Sequence, residues 1–488
     1  MSTKLSQLNP APLWNYFEEI CQVPRPSKKE EKIREYLINF GKKHRLETLY
    51  DETGNILIRK PASPGREKLK TVVLQSHMDM VCEKNSDSPH DFLLDPIRPY
   101  IDGEWVKAKG TTLGADDGIG MAAQLAILAS GSVTHGPLEC LFTVDEETGL
   151  TGAFGMMPGF ITGSILINLD SEDEGEIFIG CAGGMDTVAR FAIKEKKVAG
   201  SYIAYRVKVG GLKGGHSGDD IHKGLGNSIK ILTRLLWEAS RDSQIRVASI
   251  EGGNLRNAIP REASATILVP LKNQQKFLDR VAGYYADLRY ELGITEPDLL
   301  FSAEETELPE KAMGKKLQKR LLNALYGCPH GVIAMSQRMP GMVETSTNLA
   351  SIKAKDEGYL EVCTSQRSDT NSSKHDIAHM VESVFRLAGA KVTHSDGYPG
   401  WSPNPGSEIL KISVEAYQDL FSKEPIVRSI HAGLECGLFL EKYPGLDMIS
   451  IGPTLRGVHS PDERLEIASV VKFWDFLLEI LRRLPVTA

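Results

Sequence analysis

The sequence predicts an α/β fold, a mixed sheet flanked by helices, interrupted by an inserted α+β unit, and three observations carry that reading. Strand and helix patterns alternate through the N-terminal part of the chain, as expected for a sheet layered with helices. Apolar runs end abruptly in polar side chains: 72–80 in His77-x-Asp79, 141–149 in Asp145-Glu146-Glu147. The texture then changes to long alternating strands after GCAGG at 180–184 and reverts near GYPGW at 397–401. A chain of 488 residues exceeds what one core usually serves, at a prior of about 150 residues per domain. Two domains are therefore expected: a site-bearing unit from residues 1–185 and 398–488, and an insertion of residues 186–397.

In order along the chain, helices are expected over 12–23 and 27–45. Ser27 with Glu30 three residues on has capping-box spacing, just after the breaker Pro24-Arg25-Pro26. Strands follow over 55–59, 71–75, 138–144 and 165–169, with a helix over 118–130 between the second and third. The insertion reads as strands 202–209, 246–251 and 263–269 with helices 221–239 and 275–292. Strands 347–353 and 359–365 with a helix over 373–388 repeat that style, which points to an internal duplication. The first unit resumes through 431–440, a strand over 447–451 and an amphipathic helix over 465–484, because His459 must reach the same crevice as His77.

Composition narrows the function classes. Apolar content of 41% and charged content of 25% are those of a soluble globular protein. Fifty-seven basic against sixty-four acidic residues give a formal charge of −7, without a Lys/Arg stripe to neutralise phosphates, so nucleic acid is not an expected partner. No apolar stretch approaches the roughly 18 residues of a membrane span, and MSTKLSQLNPAPLW lacks the apolar core of a secretory signal. No membrane association and a cytoplasmic location are expected. The seven cysteines are odd in number, scattered and free of C-x-x-C spacing, so they read as core residues, not as a disulfide framework or structural zinc site.

The polar endings carry the chemistry. Residues just past the carboxyl ends of parallel strands converge on one crevice in open α/β sheets. TLGADDG at 112–118, ILINLD at 165–170 and ISIGPTLRGVHSP at 449–461 add Asp116, Asp170 and His459 to His77 and the acidic turn. Imidazoles with carboxylates suit zinc, with cobalt or manganese as substitutes. A two-metal site needs a bridging carboxylate, which Asp116 or Asp117 can supply. Of Glu146 and Glu147, one can bind metal while the other serves as general base. The acidic run 172–176 reads as a solvated loop. VGGLKGGHSG at 209–218 lacks the G-K-[ST] of a phosphate loop.

Taken together, His77-x-Asp79, GADDG at 114–118, DEETG at 145–149, Asp170, GGHSG at 214–218, NAIPRE at 257–262 and HSPDE at 459–463 resemble the dizinc exopeptidase family of aminoacylases, glutamate carboxypeptidases and peptidase T. The likeness spans nearly the whole chain. TLGADDGIG, GLKGGHSG, GGNLRNAIPRE and HAGLECGLF are most similar to its branch of cytosolic aminoacyl-histidine (Xaa-His, carnosinase-like) dipeptidases. The resemblance implies a catalytic dizinc domain with an inserted lid. It implies two zinc ions per chain: His77 and Asp170 on one, Glu147 and His459 on the other, Asp116 bridging. Asp79 supports His77, and Glu146 is the general base for a zinc-bridging water. His216 polarises the scissile carbonyl, while Asn257 and Arg367 contact substrate. His431 and Glu435 of HAGLECG resemble a loop near the substrate, and no spacing makes them ligands; a substrate-side and a structural role both stay open. Many relatives carry lysine after the paired aspartates, where this chain has Gly118.

The expected activity is hydrolysis of unblocked dipeptides, Xaa-His dipeptides such as carnosine among them, by a homodimer. The alternatives are an N-acyl amino acid deacylase of aminoacylase type and, from another class, a catalytically silent metal- or peptide-binding protein.

Overall fold

Four apolar runs form the centre of an eight-stranded sheet in the computed structural model, which describes residues 5–487. Leu138–Thr143, Val72–His77, Ile165–Asn168 and Asp447–Ser450 lie side by side in that order, all parallel. Every residue of the first three is buried, which is why they read as continuous apolar runs instead of alternating ones. Ile56–Lys60 and then Glu47–Tyr50 extend one side, each antiparallel to its inner neighbour, while Glu176–Cys181, antiparallel to Asp447–Ser450, and then Ile426–Ile430 extend the other, so the sheet is mixed as expected. Glu47–Tyr50 escaped the sequence reading because a four-residue, partly exposed edge strand carries almost no periodic signal.

Helices flank this sheet. Ala115–Ala129 is buried nearly throughout and packs against Val72–His77 and against Ala11–Cys21. Ile467–Arg483 buries Val470, Phe473, Phe476, Leu477, Ile480 and Leu481, a one-face stripe at helical spacing, and packs on Glu408–Phe421. The expected capping box does not form. The helix begins at Glu31; Ser27 Oγ donates instead to Asp79 Oδ2 at 2.8 Å, and Glu30 Oε1 accepts the amides of Lys28 and Asp145. Both side chains are drawn to a buried loop whose donors and acceptors need partners. Nor is 172–176 a solvated loop: Asp173 pairs with Arg456, Glu174 with Lys472, and Glu176 with Arg428.

The chain resolves into two compact units. The first holds the residues up to Gly180, Trp401–Ser429 and those from Leu434 on; the second holds Cys181–Gly400 and Ile430–Gly433. His431, expected with the returning segment, thus belongs with the second. That unit is a nine-stranded antiparallel sheet with its own core, in which Tyr205, Val207 and Val209 meet Leu232, Leu235 and Phe277. Along its main path the strands run Leu300–Thr306, Tyr202–Gly210, Ala263–Pro270, Arg246–Gly252, Val343–Lys355, Tyr359–Ser368, Gly183–Ala192, Lys391–His394. The order helix, three strands, helix, strand occurs twice, from Ser228–Asp242 and again from Lys315–Gly327; Arg246–Gly252, Ala263–Pro270 and Leu300–Thr306 lie in one half of the sheet, and Val343–Lys355, Tyr359–Ser368 and Lys391–His394 in the other.

Candidate metal centre

The loops that leave the carboxyl ends of the four parallel strands bring the expected ligands together within the first unit. His77 closes its strand and is 1% exposed; its Nε2 lies 3.0 Å from Asp116 Oδ1 and 3.4 Å from Asp170 Oδ1. His459, on the loop that follows the outermost parallel strand, places Nε2 3.2 Å from Asp116 Oδ2 and 3.1 Å from Glu147 Oε2. Asp116 therefore faces two separate groups with its two oxygens. In His77, Asp116 and Asp170, and again in Asp116, Glu147 and His459, one atom from each residue lies within 4.8 Å of the others; His77, Glu146 and Glu147 do the same. Asp117 turns the other way, its Oδ1 accepting the amide of Gly120 at 3.1 Å. The peptide between the two aspartates is cis.

Asp79 organises the ligand loops from behind. Its carboxylate accepts the amides of Glu146 at 3.0 Å and Glu147 at 3.3 Å, and its Oδ1 sits 3.4 Å from His77 Nδ1. Burial alone would raise this carboxyl; the bond to His77 and those to Glu146 and Ser27 hold it below its ordinary value. One buried anion thus orients an imidazole and pins the acidic turn.

The electrostatics are those of a cation site. Hydrogen bonds to Asp116 and Glu147 push His459 up to about 11. Burial opposes charge on His77, yet Asp170 and Asp116 raise it well above its usual value. Burial, with Asp116 beside it, lifts Asp170 to about 7. Burial, with the Asp170 and Glu147 carboxylates, drives Glu146 well above the usual range. Acceptors this crowded demand positive charge. Glu147 Oε1 is buried with no hydrogen-bond partner. Two divalent ions sharing Asp116 would meet that demand, and the donor set of two imidazoles and carboxylates suits them.

The remaining expected residues lie in the second unit. Arg367 is 7% exposed, and its guanidinium reaches Ser217 Oγ (3.4 Å), Tyr398 Oη (3.2 Å) and His216 Nε2 (3.4 Å). No carboxylate pairs with it among the described residues. Asn257 touches this cluster only through its backbone carbonyl, which accepts the Ser217 amide at 2.8 Å; the residue is otherwise exposed. HAGLECG divides between the units. His431 Nε2 meets Ser346 Oγ at 2.8 Å in the second, and burial with Arg367 nearby lowers it to about 3. Glu435, in the first, accepts from Gln75 Nε2 (2.6 Å) and Thr143 Oγ1 (2.7 Å).

Tyr398 was read only as part of a boundary. Its signal was GCAGG, because a Cβ on Gly184 would come within 2.7 Å of the Tyr398 ring. Arg25, between two prolines, and Glu463, at the end of HSPDE, carry no sequence signal of their own.

Residues 73–483 match the peptidase family M20/M25/M40. The chain belongs to that family. The M20 chain is 46% identical over 483 residues to the cytosol non-specific dipeptidase of Escherichia coli (strain K12), covering 99% of each. It is equally 46% identical to a solved aminoacylhistidine dipeptidase from Vibrio alginolyticus, with TM-score 0.92 over 100% of this chain and 99% of that one. The aminopeptidase PepT structure from Bacillus cereus ATCC 10987, at 17% identity and TM-score 0.56 over 97% and 98%, shares the fold.

Proposed function

We propose that this M20 peptidase hydrolyses unblocked dipeptides, Xaa-His dipeptides such as carnosine among them, with two zinc ions held by His77 and Asp170, by Glu147 and His459, and by Asp116 between them. The observation that carries the reading is the Asp116 carboxylate, whose oxygens face two histidine-carboxylate groups at 3.0 and 3.2 Å. The dipeptidase activity of relatives that match the chain end to end supports the substrate class, and the cytosolic relative supports a cytoplasmic location. Cobalt or manganese can take the same donors. No helix among the described residues is long and apolar enough to cross a membrane.

When bound, such ions polarise a carbonyl and make water nucleophilic at neutral pH. The protein's own groups do the rest. Asp79 fixes the ring of His77 and the turn that carries Glu146. Glu146, whose raised proton affinity suits a shuttle, takes a proton from the attacking water and returns it to the departing amine. Arg367, buried without a carboxylate partner among the described residues, is assigned to the substrate carboxylate; its planar fork makes paired bonds to such a group. His216 is assigned to the carbonyl oxygen on which charge develops, and Asn257 to a substrate contact at the same cluster. Homodimerisation rests on the family resemblance.

Hydrolysis of β-alanyl-histidine, leucyl-histidine, a tripeptide and an N-acetyl amino acid by zinc-loaded protein, with a chelated control, tests this. Metal-dependent cleavage confined to the free dipeptides is expected. Cleavage of the N-acetyl compound alone would replace the reading with a deacylase, and two bound zincs without cleavage of any of the four would replace it with a silent binder.

A further inference from the structure

Two buried charges beside the metal centre, Arg25 and Glu463, take no part in the chemistry above. Glu463 is 2% exposed, and its carboxylate accepts four consecutive amides: Leu113 (2.7 Å) and Gly114 (3.0 Å) on Oε2, Ala115 (2.8 Å) and Asp116 (3.4 Å) on Oε1. These amides lie on the turn that leads into the helix, whose regular part begins at Gly118 because Asp116 and Asp117 have non-helical backbone. Arg25 is 3% exposed. One end of its guanidinium donates to the carbonyls of Met78, at 3.1 Å, and Asp79; the other donates to Gly114. Gly114 is therefore gripped by its N–H from Glu463 and by its C=O from Arg25.

Neither charge is in an ion pair with any side chain among the described residues; the backbone of the ligand loops satisfies both. Burying a charge is costly unless its bonds are well made. Here those bonds join the loop that follows His77 to the loop that carries Asp116. The glycine after the paired aspartates belongs to the same arrangement. A Cβ on Gly118 would lie 2.7 Å from Arg25 Nη2 and 3.3 Å from the Phe17 ring. The end of a long side chain usually yields to such a contact, but this one is buried and bonded to three carbonyls.

We infer that Arg25, Gly118 and Glu463 form a clamp that positions the Asp116 carboxylate across both ion sites, and that residue 118 is glycine because the Arg25 guanidinium needs its side-chain space. The inference rests on the two-metal reading above. A bridge serves two ions only if its oxygens are held to within about half an ångström, and side chains behind it supply that restraint. Arg25 and Glu463 are positioning residues in this account: they reach the bridge only through backbone.

Gly118→Ala separates the clamp from a purely structural role. Gly118 opens the regular helix with negative φ, where alanine is no less favourable than glycine, so a chain with free space at 118 would fold and bind metal unchanged. With the clamp, the second ion binds at least tenfold more weakly. Metal-free wild type, Gly118→Ala and Glu463→Gln would be titrated with cobalt(II) by calorimetry, and the visible spectrum of the loaded proteins compared. Wild type is expected to take two ions. Both variants should bind the first, lose affinity for the second and show an altered cobalt spectrum. Gly118→Ala taking both ions with wild-type affinity and spectrum would overturn the inference even if Glu463→Gln fails to fold. Wild type that takes fewer than two ions would overturn the two-metal reading, and the clamp with it.

Discussion

Asp116 and Glu146 differ in how their surroundings use the same functional group. Asp116 accepts from His77 and His459, whose bonds hold its carboxyl well below the usual range despite burial. Glu146 is buried among other carboxylates and is driven the opposite way. One is kept as an anion and the other's proton affinity is raised, the separation that the proposed proton transfer by Glu146 needs. Glu146→Gln should therefore lower kcat by roughly 10²–10⁴-fold while two ions remain bound, measured by steady-state kinetics beside metal analysis. Turnover within tenfold of wild type would remove Glu146 from the proton transfer. Arg367 makes a prediction of another kind. Arg367→Lys should raise KM for a free dipeptide by about tenfold or more, since a point charge replaces a bidentate fork. The corresponding dipeptide amide should barely respond, and an equal effect on both would show that Arg367 does not read the carboxylate.

At the scale of elements, the site was legible because the strands that carry it announce themselves. Strands buried on both faces are predominantly apolar, so the turn to polar residues at His77, at the acidic turn and at Asp170 marks the end of each strand. Partners that act through backbone left no such mark. Arg25 and Glu463 recognise carbonyls and amides, which every residue has, so no residue pattern pointed to them. Ser27 and Glu30 matched a capping box by spacing but answered a stronger demand from Asp79 and Asp145. The internal repeat shows only faintly in the sequence because Leu300–Thr306 of the first copy and Gly331–Met335 and Lys391–His394 of the second carry no clear strand pattern. His330, beside the strand Gly331–Met335, gives this scale its test. Burial and then Lys230 lower its imidazole to about 4, against about 6.5 when unfolded. Between those values the unfolded chain binds more protons, so stability rises with pH there. His330 contributes fully above about pH 6.5 and loses up to roughly 3 kcal/mol as pH falls toward 4. His330→Asn should flatten that part of the denaturation profile, and an unchanged slope would mean that the imidazole is already protonated in the fold.

The proposed roles fall on two compact units. The five proposed metal ligands all belong to the first, while Arg367, His216 and Asn257 belong to the second. An ion that binds the folded state alone adds stability of about 4 kcal/mol at a thousand times its dissociation constant, and that stability is confined to the structure whose opening releases the ion. Removing metal should therefore loosen one unit selectively. Hydrogen exchange of loaded and chelated protein is expected to differ most at 113–118, 145–149 and 459–463, where amides lie in or beside the ligand loops. The strands Tyr202–Gly210 and Ala263–Pro270, in the core of the second unit, should exchange at the same rate in both states. Protection lost equally from both sets would show that the two units open together, and protection lost from neither would show that metal does not hold the ligand loops closed.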